Sequence, residues 1–166
     1  SLVYEGIKLC REKGIDFILA VGGGSVIDSA KAIAYGAVCD FDVWELYDGK
    51  RTADKCLPVG CVLTIAAAGS ETSDSSVITN ENGWLKRGYS SQCSRPVFAV
   101  MNPELTYTLP PYQTSSGAAD ILMHTMERYF GGCDSMELTD SIAEALMRTV
   151  IRNAERLVDE LSLIHI

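Results

Sequence analysis

The feature that most constrains this chain is a three-part unit near its start. Residues 16–21, Asp-Phe-Ile-Leu-Ala-Val, form a short apolar run. Three glycines follow, Gly22-Gly23-Gly24, and then a helical stretch over residues 25–37. An apolar run of this length between a helix and a glycine turn predicts a strand buried on both faces, as in a parallel sheet. Ser25 followed three residues later by Asp28 predicts a capping box at the start of the helix. Strand, glycine turn and helix also form a phosphate cradle. The first amides of a helix lack intrahelical partners, the helix dipole adds positive potential, and glycines let an anion approach the backbone. Gly22, Gly23, Gly24 and Ser25 are therefore candidate contacts to a nucleotide phosphate. They do not make the GxGxxG dinucleotide fingerprint, and a plain strand-to-helix turn would use the same residues.

Upstream, Leu2, Val3, Ile7, Leu9 and Cys10 recur at helical spacing and Gly14 stops the run, which predicts a helix. Downstream, residues 39–55 read as loops, 57–65 as a second buried strand, 66–76 as a loop and 76–79 as a strand ending at Asn80-Glu81-Asn82-Gly83. Residues 96–101 read as a further buried strand, broken by Asn102-Pro103. After Pro110-Pro111 the pattern becomes helical, over 112–130 and 137–160. In the second helix Leu138, Ile142, Leu146, Val150, Ala154 and Val158 fall four apart in one apolar stripe. The expected division is an α/β part over 1–109 and the start of a helical part over 110–160.

Composition bounds the partners. With 14 basic and 22 acidic residues the formal charge is −8. That argues against nucleic acid or an anionic membrane surface as main partner. No apolar run reaches the length of a membrane span. The six cysteines, Cys10, Cys39, Cys56, Cys61, Cys93 and Cys133, include no CxxC pair, and several sit in apolar runs. They read as buried thiols in a reducing cytoplasm.

On the first of these helices, 112–130, Asp120 and His124 lie four apart and so share one helix face. A carboxylate oxygen and a neutral imidazole suit Fe²⁺ or Zn²⁺; the same spacing also occurs in ordinary surface pairs. Glu127, one turn further, reads as a surface glutamate or as a neighbour supporting His124.

Longer strings add to these readings. Gly22 to Lys31 resembles the GGGSxxDxAK segment of iron-type (group III) alcohol dehydrogenases. Leu63-Thr64-Ile65-Ala66-Ala67-Ala68-Gly69-Ser70-Glu71 resembles their second nucleotide loop, usually TTxxTGSE. Asn102-Pro103, Tyr107 to Pro111, and Gly117-Ala118-Ala119-Asp120-Ile121-Leu122-Met123-His124 resemble the entry to their helical metal domain. The similarity runs from about Asp16 to Glu160 and is strongest to the butanol dehydrogenase and broad aldehyde reductase branch.

The resemblance implies a dehydroquinate synthase-like fold, with a parallel-sheet dinucleotide-binding domain followed by an all-helical metal-binding domain. This chain would be a truncated middle piece of it. The implied activity is hydride transfer between NAD(P)H and an aldehyde–primary alcohol pair, with a divalent metal polarising the carbonyl and a homodimer as the assembly. NAD and NADP are both open. Gly23, Gly24 and Ser25 are implied as pyrophosphate contacts, with Asp28 supporting the same motif. Thr64 matches a cofactor-contacting threonine, while Ile65 and Ala68 stand where two further threonines are usual. Lys86 matches a lysine near the cofactor ribose, or is a plain surface lysine. Asp120 and His124 match two of four metal ligands. The same fold also serves glycerol dehydrogenase, maleylacetate reductase and the lyase dehydroquinate synthase. A non-catalytic nucleotide-binding fragment is the remaining alternative. Residues 161–166 resemble a translated sequencing adapter and are expected to be a non-native tail.

Overall fold

The computed structural model describes residues 2–131 and 136–159, so Cys133, Glu160 and the tail with His165 lie outside the described residues. The chain divides into two compact units. One holds residues 1–64 and 69–101, the other 65–68 and 102–166. Pro110 and Pro111 open a helix inside the second unit.

The first unit begins with helix α1, Leu2–Lys13, which buries Ile7 and Cys10. Gly14 follows at φ +63°, and the Ile15 amide donates to the Cys10 carbonyl at 3.0 Å. This is a Schellman cap, and its left-handed residue is the reason a glycine stands there. Strands β1 (Ile18–Gly22), β2 (Val59–Leu63) and β5 (Phe98–Val100) form a parallel sheet in the order β1-β2-β5. Helix α2, Gly24–Val38, lies on one face of it. Its Ile27, Ala30 and Ala34 pack with Ala20, Val59, Cys61 and Leu63 into a buried cluster.

The other face departs from expectation. Leu19 and Val21 are 52% and 57% exposed, and Phe98 and Val100 are exposed on the other side of β2. β1 and β5 are therefore covered on one side only among the described residues, because α2 supplies the only apolar cover and reaches only one face of the sheet. A second correction concerns residues 39–55, which contain the short helix α3, Trp44–Tyr47. Strands β3 (Ser75–Asn80) and β4 (Leu85–Ser90) form an antiparallel hairpin. β4 had no legible signal, since its six residues are almost all exposed. The hairpin is held by aromatic packing: Tyr89 meets the buried Tyr35 edge to face at 5.3 Å.

In the second unit, α4 (Pro111–Tyr129) and α5 (Glu137–Asp159) are joined by the Tyr129 hydroxyl, which donates to Glu144 Oε1 at 3.1 Å. α5 buries Ala143, Val150 and Leu157, which recur every seven residues. The expected stripe is only partly covered: Leu138, Ile142 and Leu146 are exposed. No helix among the described residues is long and apolar enough to cross a membrane.

Candidate functional site

The glycine turn is built as a strand running straight into a helix. Gly22 ends β1, Gly23 caps α2 with φ −89° and ψ −169°, and Gly24 is the first helical residue. None of the three has positive φ. Gly22 is needed for space instead, because a Cβ there would lie 2.7 Å from the Val26 side chain. The Val26 and Ile27 amides both donate to the Gly23 carbonyl at 3.1 Å. The amides of Gly24 and Ser25, earlier in the turn, have no intrahelical acceptor to use.

The expected capping box does not form. The helix starts one residue before Ser25, so Gly23 is the cap and no side chain caps the helix. The carboxylate of Asp28 is used elsewhere. Its Oδ1 accepts from Ser70 Oγ at 2.6 Å and its Oδ2 from the Val77 amide at 3.0 Å. Asp28 thus ties α2 to the start of the hairpin and to the loop after β2. The Ser25 carbonyl accepts from Ser29 Oγ at 2.8 Å.

Thr64 follows β2 directly, and its amide donates to the Gly22 carbonyl at 3.2 Å. This continues the β1–β2 pairing by one step. Gly22 and Thr64 therefore leave the carboxyl ends of adjacent parallel strands side by side, the position where open α/β sheets hold ligands. Gly69, at φ +73° with no atom within 4 Å of an added Cβ, turns the chain back toward Ser70. Lys86 lies across from Thr79 in the hairpin. With Ser25, Ser29 and Thr79 it lines an open groove of about 800 Å³. The structure therefore brings Ser25 and Lys86 to one groove, although 61 positions separate them in the chain (86 − 25).

One residue escaped the sequence reading. Lys31 is fully buried. Its ammonium donates to the carbonyls of Ser70 (2.8 Å), Ser73 (2.8 Å) and Ser75 (2.7 Å), with Ser70 Oγ at 3.2 Å. Burial lowers its pKa from the ordinary lysine value, and Asp28 pushes the other way. A signal was present: Ile27, Lys31 and Tyr35 fall four apart on the face of α2 that packs inward.

On α4, Asp120 Oδ1 and His124 Nε2 are 3.6 Å apart, with side chains 42% and 47% exposed. A hard oxygen and a borderline nitrogen on one helix face, open to further ligands, fit a shared Fe²⁺ or Zn²⁺. Among the described residues no group of three or more His, Cys, Asp or Glu side chains could hold a metal ion. Glu127 is exposed. One turn before Asp120, a Cβ on Gly117 would lie 2.5 Å from the Ala66 carbonyl oxygen. Gly117 therefore lets residues 65–68 lie directly on the helix that carries the pair.

The thiols of Cys10, Cys39, Cys56, Cys61 and Cys93 are free. Burial, and then Cys93 beside it, pushes Cys56 up to about 12. Such a thiol stays protonated and is a packing group rather than a nucleophile.

The chain is similar in sequence and fold to known proteins. The family model described as iron-containing alcohol dehydrogenase matches residues 1–103. Probable NADH-dependent butanol dehydrogenase 2 of Bacillus subtilis is 46% identical over 161 residues, which is 97% of this chain and 41% of that protein. The NADPH-dependent aldehyde reductase YqhD of Escherichia coli is 39% identical over 161 residues, 95% of this chain and 42% of that protein. The crystal structure of NADH-dependent butanol dehydrogenase A from Thermotoga maritima superposes with a TM-score of 0.92 at 41% identity, covering 95% of this chain and 39% of that one. This chain spans about two fifths of the length of these relatives. A family match across more than half of the chain establishes that the chain belongs to the iron-containing alcohol dehydrogenases.

Proposed function

We propose that this chain carries the nucleotide site and two metal ligands of an NAD(P)-dependent alcohol dehydrogenase, or aldehyde reductase, acting on an aldehyde–primary alcohol pair. The observation that carries the reading is the pairing of Thr64 with Gly22 at the carboxyl ends of two parallel strands, directly beside the open N-terminus of α2. In this reading the amides of Gly24 and Ser25 hold the pyrophosphate, aided by the helix dipole. The Thr64 hydroxyl offers a hydrogen bond to the nucleotide, and Lys86 supplies positive charge across the groove. Asp28 has both oxygens engaged by Ser70 and Val77, so it braces the site rather than touching the cofactor.

Asp120 and His124 would hold the metal through one oxygen and one nitrogen. When bound, the metal supplies Lewis acidity toward a carbonyl oxygen and the nicotinamide supplies a hydride. The relatives' names include both NADH- and NADPH-dependent proteins, so the cofactor is proposed as either. The free thiols support a reducing compartment, the cytoplasm, and a homodimer is part of the same proposal.

The test is calorimetric titration of the full-length protein carrying this sequence with NADH and NADPH, beside the rate of butyraldehyde reduction with and without chelator. Binding of neither nucleotide would sink the reading. The alternative outcome is a nucleotide-binding module without catalysis. Nucleotide binding without chelator-sensitive reduction would select it.

A further inference from the structure

Lys31 is the least expected feature of the fold. An ammonium group has three N–H donors, and three backbone carbonyls converge on this one, from Ser70, Ser73 and Ser75. Carbonyl dipoles aimed at one point repel each other, and a cation between them relieves that repulsion. On the return limb of the loop, Gly69 to Ser75, the Lys31 ammonium supplies that charge and all three donors. The charge is balanced indirectly: Ser70 Oγ lies 3.2 Å from the ammonium and donates to Asp28 Oδ1 at 2.6 Å. Asp28 and Lys31 stand three apart on α2, the helix whose first turn carries the glycines. One rigid helix thus presents Gly24 and Ser25 at its N-terminus and grips the loop after β2 two turns later. Arg95, which donates to the Thr72 carbonyl and pairs with Asp74 at 3.7 Å, holds the outer side of the same limb.

We propose that Lys31 is a positioning residue for nucleotide binding. By clamping the carbonyls of Ser70, Ser73 and Ser75 to α2, it holds the return limb over residues 69–75 in register with the glycine turn. The inference rests on the nucleotide-binding reading above and extends it to a side chain that never touches the ligand. A lysine serving the core alone would affect stability, not affinity in the folded protein. A clamp affects affinity, because the cofactor must then order the loop at its own expense.

The experiment uses the full-length protein carrying this sequence, with Lys31→Met and Ser70→Ala variants. Nucleotide affinity is measured by NADH fluorescence titration, steady-state constants by NADH oxidation, and loop order by amide hydrogen exchange over residues 69–76. Lys31→Met is expected to raise Kd and the KM for NADH by about tenfold or more, since three charge-assisted bonds are lost. With NADH saturating, kcat should stay within about threefold. Exchange over 69–76 should quicken while β1 and β2 keep their protection. Ser70→Ala keeps the three carbonyl bonds but removes the hydroxyl link to Asp28, so its Kd should rise, and by less than that of Lys31→Met.

A folded Lys31→Met protein with unchanged Kd, or with unchanged exchange over 69–76, overturns the proposal. If Lys31→Met does not fold, the unsubstituted protein still decides: saturating NADH should slow exchange over 69–76 together with 22–27. A response at 22–27 alone overturns the proposal. Absence of any NADH or NADPH binding by the unsubstituted protein overturns instead the nucleotide reading on which it rests.

Discussion

The two candidate sites of this chain are built in opposite ways. The glycine turn is made of backbone. Its donors are the first amides of α2, and they exist as soon as β1 runs into that helix. The supporting contacts, Asp28 with Ser70 and Val77 and Lys31 with three carbonyls, all lie within the first unit. The Asp120–His124 pair is made of side chains. It offers one oxygen and one nitrogen 3.6 Å apart on one face of α4, both close to half exposed. A helix terminus is a complete anion site by itself, whereas a metal site needs ligands from several segments at once. The same contrast runs through the packing. α2 buries one face along its length, with Ile27, Lys31 and Tyr35 all fully covered, while α5 leaves Leu138, Ile142 and Leu146 open.

The sharpest way to break this contrast is Gly23→Val in the full-length protein. A branched side chain at the helix cap would occupy the space of a phosphate. Nucleotide binding should fall about a hundredfold or more, in steps of 1.4 kcal/mol per tenfold, with the fold retained. Unchanged NADH affinity in calorimetry would mean that the site is not the backbone turn.

His124→Ala probes the other site. In the proposed metal site His124 is a direct ligand, so its loss should exceed the roughly 10–100-fold cost of losing an outer-shell partner. Metal content by mass spectrometry and the rate of aldehyde reduction should fall together, while nucleotide affinity survives. A variant that keeps full metal and full rate would remove His124 from the site.

The packing contrast predicts two very different alanine effects. Tyr35 is fully buried against Tyr89, so Tyr35→Ala should cost about 3–5 kcal/mol. Ile142 is 60% exposed, so Ile142→Ala in the isolated chain should stay within about 0.5 kcal/mol. Urea unfolding of the chain over residues 2–159 measures both. Equal costs would show that α5 is covered in solution by something the fold of this chain does not supply.

The smallest effect is an alkaline one. The Cys56 thiol has an ordinary value of 9.0, raised to about 12 in the folded chain by burial first and by Cys93 second. Its contribution to stability is therefore complete below pH 9 and is lost as pH rises toward about 12. Cys56→Ser can keep the bond to the Cys93 carbonyl, now 2.8 Å from the thiol, without an ionisation in that range. It should make the alkaline loss shallower in thermal melts between pH 8 and 11; an identical slope would discard Cys56 as the group responsible.

The sequence by itself determined whatever depends on local periodicity and on turn chemistry. The Schellman stop at Gly14, the strand and glycine turn before α2, the extents of α4 and α5 to within a residue or two, and the shared face of Asp120 and His124 were all legible. Each follows from residues within a few turns of one another. Tertiary structure alone decided the partners. Asp28 was read as a capping carboxylate because a capping box is local; its partners lie 42 and 49 positions away, and the helix began two residues too early for Ser25 to cap it. Lys31 carried no local sign of the carbonyls it would meet, and β4 has too few buried side chains to leave a period-2 pattern. The buried reading of β1 and β5 was right about apolar side chains and wrong about cover. Hydrophobicity records that a face is suited to burial, and only the elements packed against it determine whether it is buried.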